Sequence, residues 1–135
     1  VWRYRGKEFT EIPEGIVGFV YCITNMVNGK RYIGKKNAFT SRLKKVKNKR
    51  NKRIKLESNW KDYWSSSEAV HKDVKIYGEE NFRREVIHLC YNKMQLNYME
   101  LKEQMDRRVL EDEHYYNEWI YVRVRKCKYL YATSS

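Results

Sequence analysis

Between Gly18 and Gly34 the chain reads GFVYCITNMVNGKRYIG, and no other stretch constrains the fold as tightly. Phe19, Tyr21 and Ile23 alternate with Val20, Cys22 and Thr24, the period of two that gives a strand two distinct faces. Asn28-Gly29 is a turn signal, because both residues tolerate the positive φ of tight hairpin turns. A second strand runs from Lys30 to Ile33 and stops at Gly34. The predicted unit is a β-hairpin, and two registers fit it. A two-residue turn at Asn28-Gly29 sets Asn25 opposite Tyr32, with Tyr21 further along the same face. A turn centred on Met26-Val27 sets Tyr21 and Tyr32 directly opposite each other. In both cases the two phenols share a face, and only a one-residue slip would part them.

The flanking segments supply the rest of one domain, an expectation that 135 residues allow. Residues 1–14 mix Trp2, Tyr4 and Phe9 with Arg3, Arg5 and Lys7, as either a docked basic arm or an extra edge strand. Gly15 opens the domain proper. From Arg42 to Lys55, nine of fourteen residues are Lys or Arg. A helix could start at Thr40 or Ser41, either a reasonable N-cap, although repulsion among like charges would weaken it. Ser65 and Glu68 have capping-box spacing, and Val70, Val74 and Tyr77 mark one face of the helix that follows, with Gly78 as its stop. Phe82 to Cys90 is the third strand. A long helix fills Lys93 to about Glu113, its buried stripe read as Met94, Tyr98, Leu101, Met105 and Val109. Residues 122–135 form a basic tail. The predicted class is α/β in the α+β sense: a small three-stranded antiparallel sheet flanked by helices.

Charge narrows the function. Twenty-nine Lys and Arg against 17 Asp and Glu give +12, and 15% of the residues are aromatic. Such an excess in a folded chain points to a polyanion, most naturally nucleic acid. The basic run is therefore either a solvated loop or a phosphate-tracking segment, with Lys36, Lys44, Lys45, Lys47, Lys49, Arg50, Lys52 and Arg53 as candidate contacts. No apolar run is long enough for a membrane span and no secretory signal opens the sequence, so the expected location is cytoplasmic. Cys22, Cys90 and Cys127 are far apart and odd in number, which fits reduced thiols. His71, His88 and His114 lack metal-ligand spacing, with one another or with the cysteines, and a structural zinc site is not expected.

Tyr21 and Tyr32-Ile33-Gly34 are followed by Arg42 eight residues past Gly34, then by Glu100 in a helix and by Tyr116-Asn117. This ordered set resembles the signature of the GIY-YIG nuclease superfamily, over roughly Gly15 to Tyr121. The resemblance implies a metal-dependent endonuclease that hydrolyses DNA phosphodiester bonds, with double-stranded DNA as its partner. It looks closest to free-standing phage-type or homing-type members, which would place it in the cytoplasm of a bacterial host. By the same resemblance Tyr32 is the general base, supported by Tyr21, and Glu100 binds Mg²⁺ or Mn²⁺. Asn117 resembles the family's late Asn, as a support for the site or as a turn cap. Lys35 matches the lysine that follows the motif in excision-repair members.

Phosphodiester hydrolysis needs a deprotonated nucleophile, stabilised charge on phosphorus oxygens and a neutralised leaving group. Arg42 suits the second need, since a guanidinium offers forked donors and keeps its charge. Lys30, Arg31, Lys35 and Lys36 would favour the Tyr32 phenolate. Glu100, beside Leu101 on the flank of the stripe, can reach the hairpin, whereas Glu103 reads as an ordinary solvated charge. One position departs from the pattern: Val46 stands where the family has Tyr or His, and Tyr63 is the candidate replacement. The rival reading is a nucleic-acid-binding module without catalysis, for DNA or RNA.

Overall fold

The computed structural model describes residues 1–44, 47, 50 and 52–120, apart from the side chains of residues 42–44 and 52–54. Its centre is a five-stranded sheet in the order β2-β1-β7-β3-β4. β3 (Gly18–Asn25) pairs antiparallel with β4 (Arg31–Asn37) and with β7 (Phe82–Cys90). β1 (Trp2–Tyr4) runs parallel to β7 and is joined to β2 (Lys7–Glu8) at the edge. The expected three-stranded antiparallel sheet is thus corrected to five strands, one pairing of them parallel. Burial accounts for the added pair. Trp2 and Phe9 sink into the core, and the Trp2 indole donates to Trp60 O at 2.7 Å. The N-terminal segment takes the edge-strand form because two large aromatic side chains anchor it.

β3 is buried along almost its whole length because both faces of the sheet are covered. On one face the rings of Trp2, Phe9, Phe19, Tyr21 and Trp60 pack edge to face with one another, and with Ile23 and Val70 of α1 (Glu68–Tyr77) they form one core cluster. On the other, Val20, Cys22 and Ile33 meet Leu96 and Met99 of α2 (Lys93–Asp106). The N-cap of α1 is Ser67, whose hydroxyl accepts from Val70 N, and Gly78 ends the helix at φ 89°. Ser65 instead accepts from Ser67 N in the approach to the helix, so the cap lies two residues later than the capping-box spacing implies.

Three further expectations are revised. The hairpin closes on the Asn25–Lys30 pair around a four-residue loop, Met26 to Gly29, intermediate between the two registers considered. Asn25 sets this loop, its side chain accepting from Val27 N and its carbonyl from Gly29 N. Ile23 therefore opposes Tyr32, and Tyr21 lies diagonally from it on the same face. The basic run is not helical at its start. β5 (Phe39–Lys44) and β6 (Lys52–Glu57) form a separate antiparallel ribbon, in which strands avoid the crowding of like charges one helical turn apart. Finally, α2 ends at Asp106 and buries Gln95, Leu96, Met99, Glu100 and Gln104, while Met105 is 60% exposed. The stripe is displaced because three polar residues on the buried face find partners or line a cleft there. Lys45, Val46, Lys49 and residues 122–135 lie outside the described residues.

Candidate active site

β4 is an edge strand, and its outer side would leave backbone groups unpaired. The chain after α2 covers it. Arg31 N donates to His114 O, Tyr116 N donates to Arg31 O, and Asn117 then acts with its side chain as a neighbouring strand would. Its Oδ1 accepts from Ile33 N at 3.0 Å and its Nδ2 donates to Ile33 O at 2.8 Å. Gln104 adds a second donor to that carbonyl at 3.1 Å. Asn117 is buried, so its place is that of a clamp on the Tyr32–Gly34 strand.

Beside this clamp opens a cleft of about 690 Å³. Tyr21, Tyr32, Gly34 and Lys35 form its floor, Ser66 to Ala69 and Lys72 at the start of α1 form one wall, and Glu100 and Gln104 form another. Tyr116, Glu118 and Trp119 complete it. Four residues singled out from sequence therefore meet in one place: Tyr21, Tyr32, Lys35 and Glu100. Tyr63 sits behind them, its ring 6.0 Å from Tyr21 and hydrogen-bonded to it, with Lys36 Nζ 4.1 Å above its ring. Lys36 is thus held partly buried against an aromatic face. Arg42 lies on β5 opposite Ile54, and its side chain lies outside the described residues, as do those of Lys44, Lys52 and Arg53. Lys47 and Arg50 are exposed. His71 turns away from the cleft to Ser65 O.

Electrostatics inside the cleft reverse one expectation. The Tyr32 phenol is pushed above its ordinary value, chiefly by burial, with Glu100 and Tyr63 adding to the rise and a hydrogen bond from Ser66 opposing it. The nearby cations do not prevail, because Lys30 lies over the Tyr116 ring, Lys36 over Tyr63, and Lys35 Nζ donates to Asn97 Oδ1. Tyr21 is raised further, by its near-complete burial first and by Tyr63 and Tyr32 next. A phenol that holds its proton more tightly folded than unfolded stabilises the fold below pH about 10 and loses that contribution above it. The urea midpoint is therefore expected to fall between pH 9 and 11, with a shallower fall in Tyr21→Phe. A midpoint independent of pH in wild type would contradict the burial of these hydroxyls.

Glu100 is only 9% exposed. Burial raises its carboxyl, and the charge and backbone N–H of Lys35 offset that rise only in part. An incompletely compensated carboxylate facing a cleft suits a hard dication that keeps most of its water, which needs one or two protein carboxylates. Among the described residues no cluster of three His, Cys, Asp or Glu could hold a metal by itself. Glu103, one turn on, differs from expectation. It accepts from Arg107 Nε at 2.9 Å and pairs with the His88 ring at 2.7 Å, and these partners hold its carboxyl down to about 2.

Ser66, Lys72, Gln104 and Trp119 were not singled out from sequence, and Tyr116 was named only as the neighbour of Asn117. Gln104 carried a signal, lying four residues after Glu100 on the same helix face. Tyr116 sits in a buried chain: its hydroxyl accepts from Asn25 Nδ2 at 3.1 Å and donates to Asp73 at 2.7 Å, which joins hairpin, α1 and the closing segment.

A family model described as "Putative endonuclease segE, GIY-YIG domain" matches residues 2–120. One relative, "Putative endonuclease segE" of Enterobacteria phage T4, is 30% identical over 99 residues. The match covers 73% of this chain and 39% of that protein, so the chain spans about two fifths of the relative's length. No solved structure matches. Among the described residues no helix is long and apolar enough to cross a membrane. With the tyrosine pair and the buried glutamate meeting in one cleft and a family model covering nearly the whole chain, this protein belongs to the SegE-type branch of the GIY-YIG nucleases.

Proposed function

We propose that the chain is a divalent-metal-dependent endonuclease acting on double-stranded DNA. The observation that carries the reading is the meeting of Tyr32 and the buried Glu100 carboxylate in one cleft, close enough for each charge to bear on the other. Glu100 would hold a Mg²⁺ or Mn²⁺ ion. Bound there, such an ion supplies Lewis acidity to a phosphoryl oxygen and charge near the leaving oxygen. Once the Tyr32 phenol has released its own proton to solvent, the phenolate, with Ser66 beside it, orients the attacking water, takes a proton from it and returns to the neutral phenol. Tyr21 and Tyr63 form the packed hydroxyl pair behind it. Lys35 and Lys72 line the cleft that a phosphate would enter, and Arg42, on the strand that follows β4, is the proposed phosphate clamp. Asn117 and Gln104 keep the Tyr32 strand in place from the far side.

The test is supercoiled plasmid incubated with the purified protein in Mg²⁺, in Mn²⁺ and in EDTA. Nicked or linear product is expected only with metal. DNA binding with no cleavage in either metal would overturn the enzyme reading and leave a binding module. Tyr32→Phe removes one hydroxyl and should fold, yet lose cleavage. Arg42→Ala is expected to slow cleavage about 100-fold or more, the scale for removing a preorganised charge stabiliser. Full activity in Tyr32→Phe would move the base role to Tyr21 or Tyr63.

A further inference from the structure

The β5–β6 ribbon is separate from the main sheet, yet its root is fixed to it. Ala38 N donates to Val17 O at 2.9 Å, Ser58 N to Ala38 O at 2.9 Å and Ser58 Oγ to Asn37 O at 2.6 Å. Trp60, fully buried, donates its indole N–H to Glu57 at 2.7 Å. β4 passes through Ala38 directly into β5, so the strand that carries Tyr32 and Gly34 also feeds the ribbon. Beyond its root, this element makes little sense as an isolated structure in water. Two-stranded ribbons are marginal alone, and Lys44 stands directly opposite Lys52, a like-charge pair that destabilises a ladder. An anion bound beside those two positions would offset their repulsion.

A pure phosphate clamp would need only cations. This ribbon also presents Thr40 opposite Leu56, both exposed, the leucine at 38%. The Thr40 hydroxyl can serve a phosphate or a base edge, but the exposed Leu56 side chain gains nothing from phosphate. A hydroxyl and an apolar tip side by side do match base edges, where hydroxyls accept or donate and apolar groups meet thymine methyls. Size agrees as well. Six-residue strands give a length of about 20 Å and a strand spacing of about 4.8 Å, and the major groove of B-DNA, about 12 Å wide, admits a two-stranded ribbon.

From this we infer that the β5–β6 ribbon enters the major groove of duplex DNA and reads base edges there, so that groove contact sets where the backbone meets the cleft. The inference builds on the nuclease reading but is tested by binding alone. A-form RNA has a major groove too deep and narrow for it, so an RNA duplex is not the partner.

Duplexes are selected for tight binding from a random pool in EDTA, where no cutting occurs. Methylation of guanine N7, in the major groove, is expected to weaken binding tenfold or more at positions within about one helical turn. Methylation of adenine N3, in the minor groove, should have no such effect. The double variant Thr40→Val, Leu56→Ser removes no charge, and should narrow the preference for the selected duplex over a scrambled one at least fivefold. Its binding to scrambled duplex should not change. An RNA duplex of the selected sequence should fail to compete. A pool that yields no preferred sequence, or interference confined to ethylated phosphates, overturns groove reading and leaves a phosphate clamp. Plasmid cleavage is scored separately: N7 interference without cleavage upholds the ribbon and overturns the nuclease, and cleavage without N7 interference does the reverse.

Discussion

Glu100→Gln is expected to abolish cleavage and, at the same time, to raise the melting temperature of the metal-free protein. The two effects share one cause. Burial raises the Glu100 carboxyl above its ordinary range, so the protonated form is favoured in the fold. As pH rises through that raised value the fold loses stability, and near pH 7 a neutral amide of the same shape removes the burden. The same substitution removes the candidate metal ligand, and cleavage should drop by about 100-fold to 1,000-fold or more. Mg²⁺ should raise the melting temperature of wild type by binding only the folded state, and leave the variant unmoved. Glu103→Gln is the opposite case. It breaks the links to His88 and Arg107, so it should lower stability and spare cleavage. Because that carboxyl is held down to about 2, its contribution is present above the ordinary 4.5 and lost as pH falls toward the folded value. The two proteins should therefore converge in stability near pH 2. A stabilised, fully active Glu100→Gln would place the metal elsewhere.

Gly34→Ala is the second change with a large expected effect. A Cβ at Gly34 would stand 2.5 Å from the Tyr21 hydroxyl oxygen, 2.7 Å from Tyr21 Cζ and 2.9 Å from Tyr32 Cε2. Tyr21 is almost fully buried among Trp2, Phe19 and Tyr63 and has no room to retreat. Tyr32 must give way instead. Overpacking of this kind costs about 1–3 kcal/mol, and a displacement of about 1 Å at a reacting group can lower a rate about 100-fold. Denaturant unfolding and cleavage on the same preparation check both numbers, with duplex binding expected to persist. Cleavage at the wild-type rate would mean that the spacing of the two phenols is not used.

What the sequence revealed follows from where period and chemistry agree. The shared face of Tyr21 and Tyr32 was readable because any even shift of register preserves it, even though the loop itself has four residues set by Asn25. β7 and α1 were readable for the same reason, with Gly78 as a clear stop. β1 and β2, three and two residues long, are too short to carry a period, and only the burial of Trp2 and Phe9 reveals them. The ribbon was obscured by its charge, which masks the strand preference of Thr40 and Ile54. α2 misled most. Its buried face carries Gln95, Glu100 and Gln104, residues kept there for bonds and for the cleft, and an apolar-stripe reading selects Met105 on the exposed side.

The clamp by Asn117 also has a bearing on how the molecule is made. Ile33 obtains partners for its outer N–H and C=O from a residue 84 positions later. β4 is thus synthesised well before the residue that secures its outer edge. Contacts of such long sequence separation are slow to form, since loop closure must precede any gain from them. A nascent or prematurely ended chain that stops before Asn117 has both tyrosines and the glutamate, yet its β4 edge is unsecured. On the proposed mechanism, ending the chain before Asn117 is expected to lower cleavage more than duplex binding, with both measured on the same preparation.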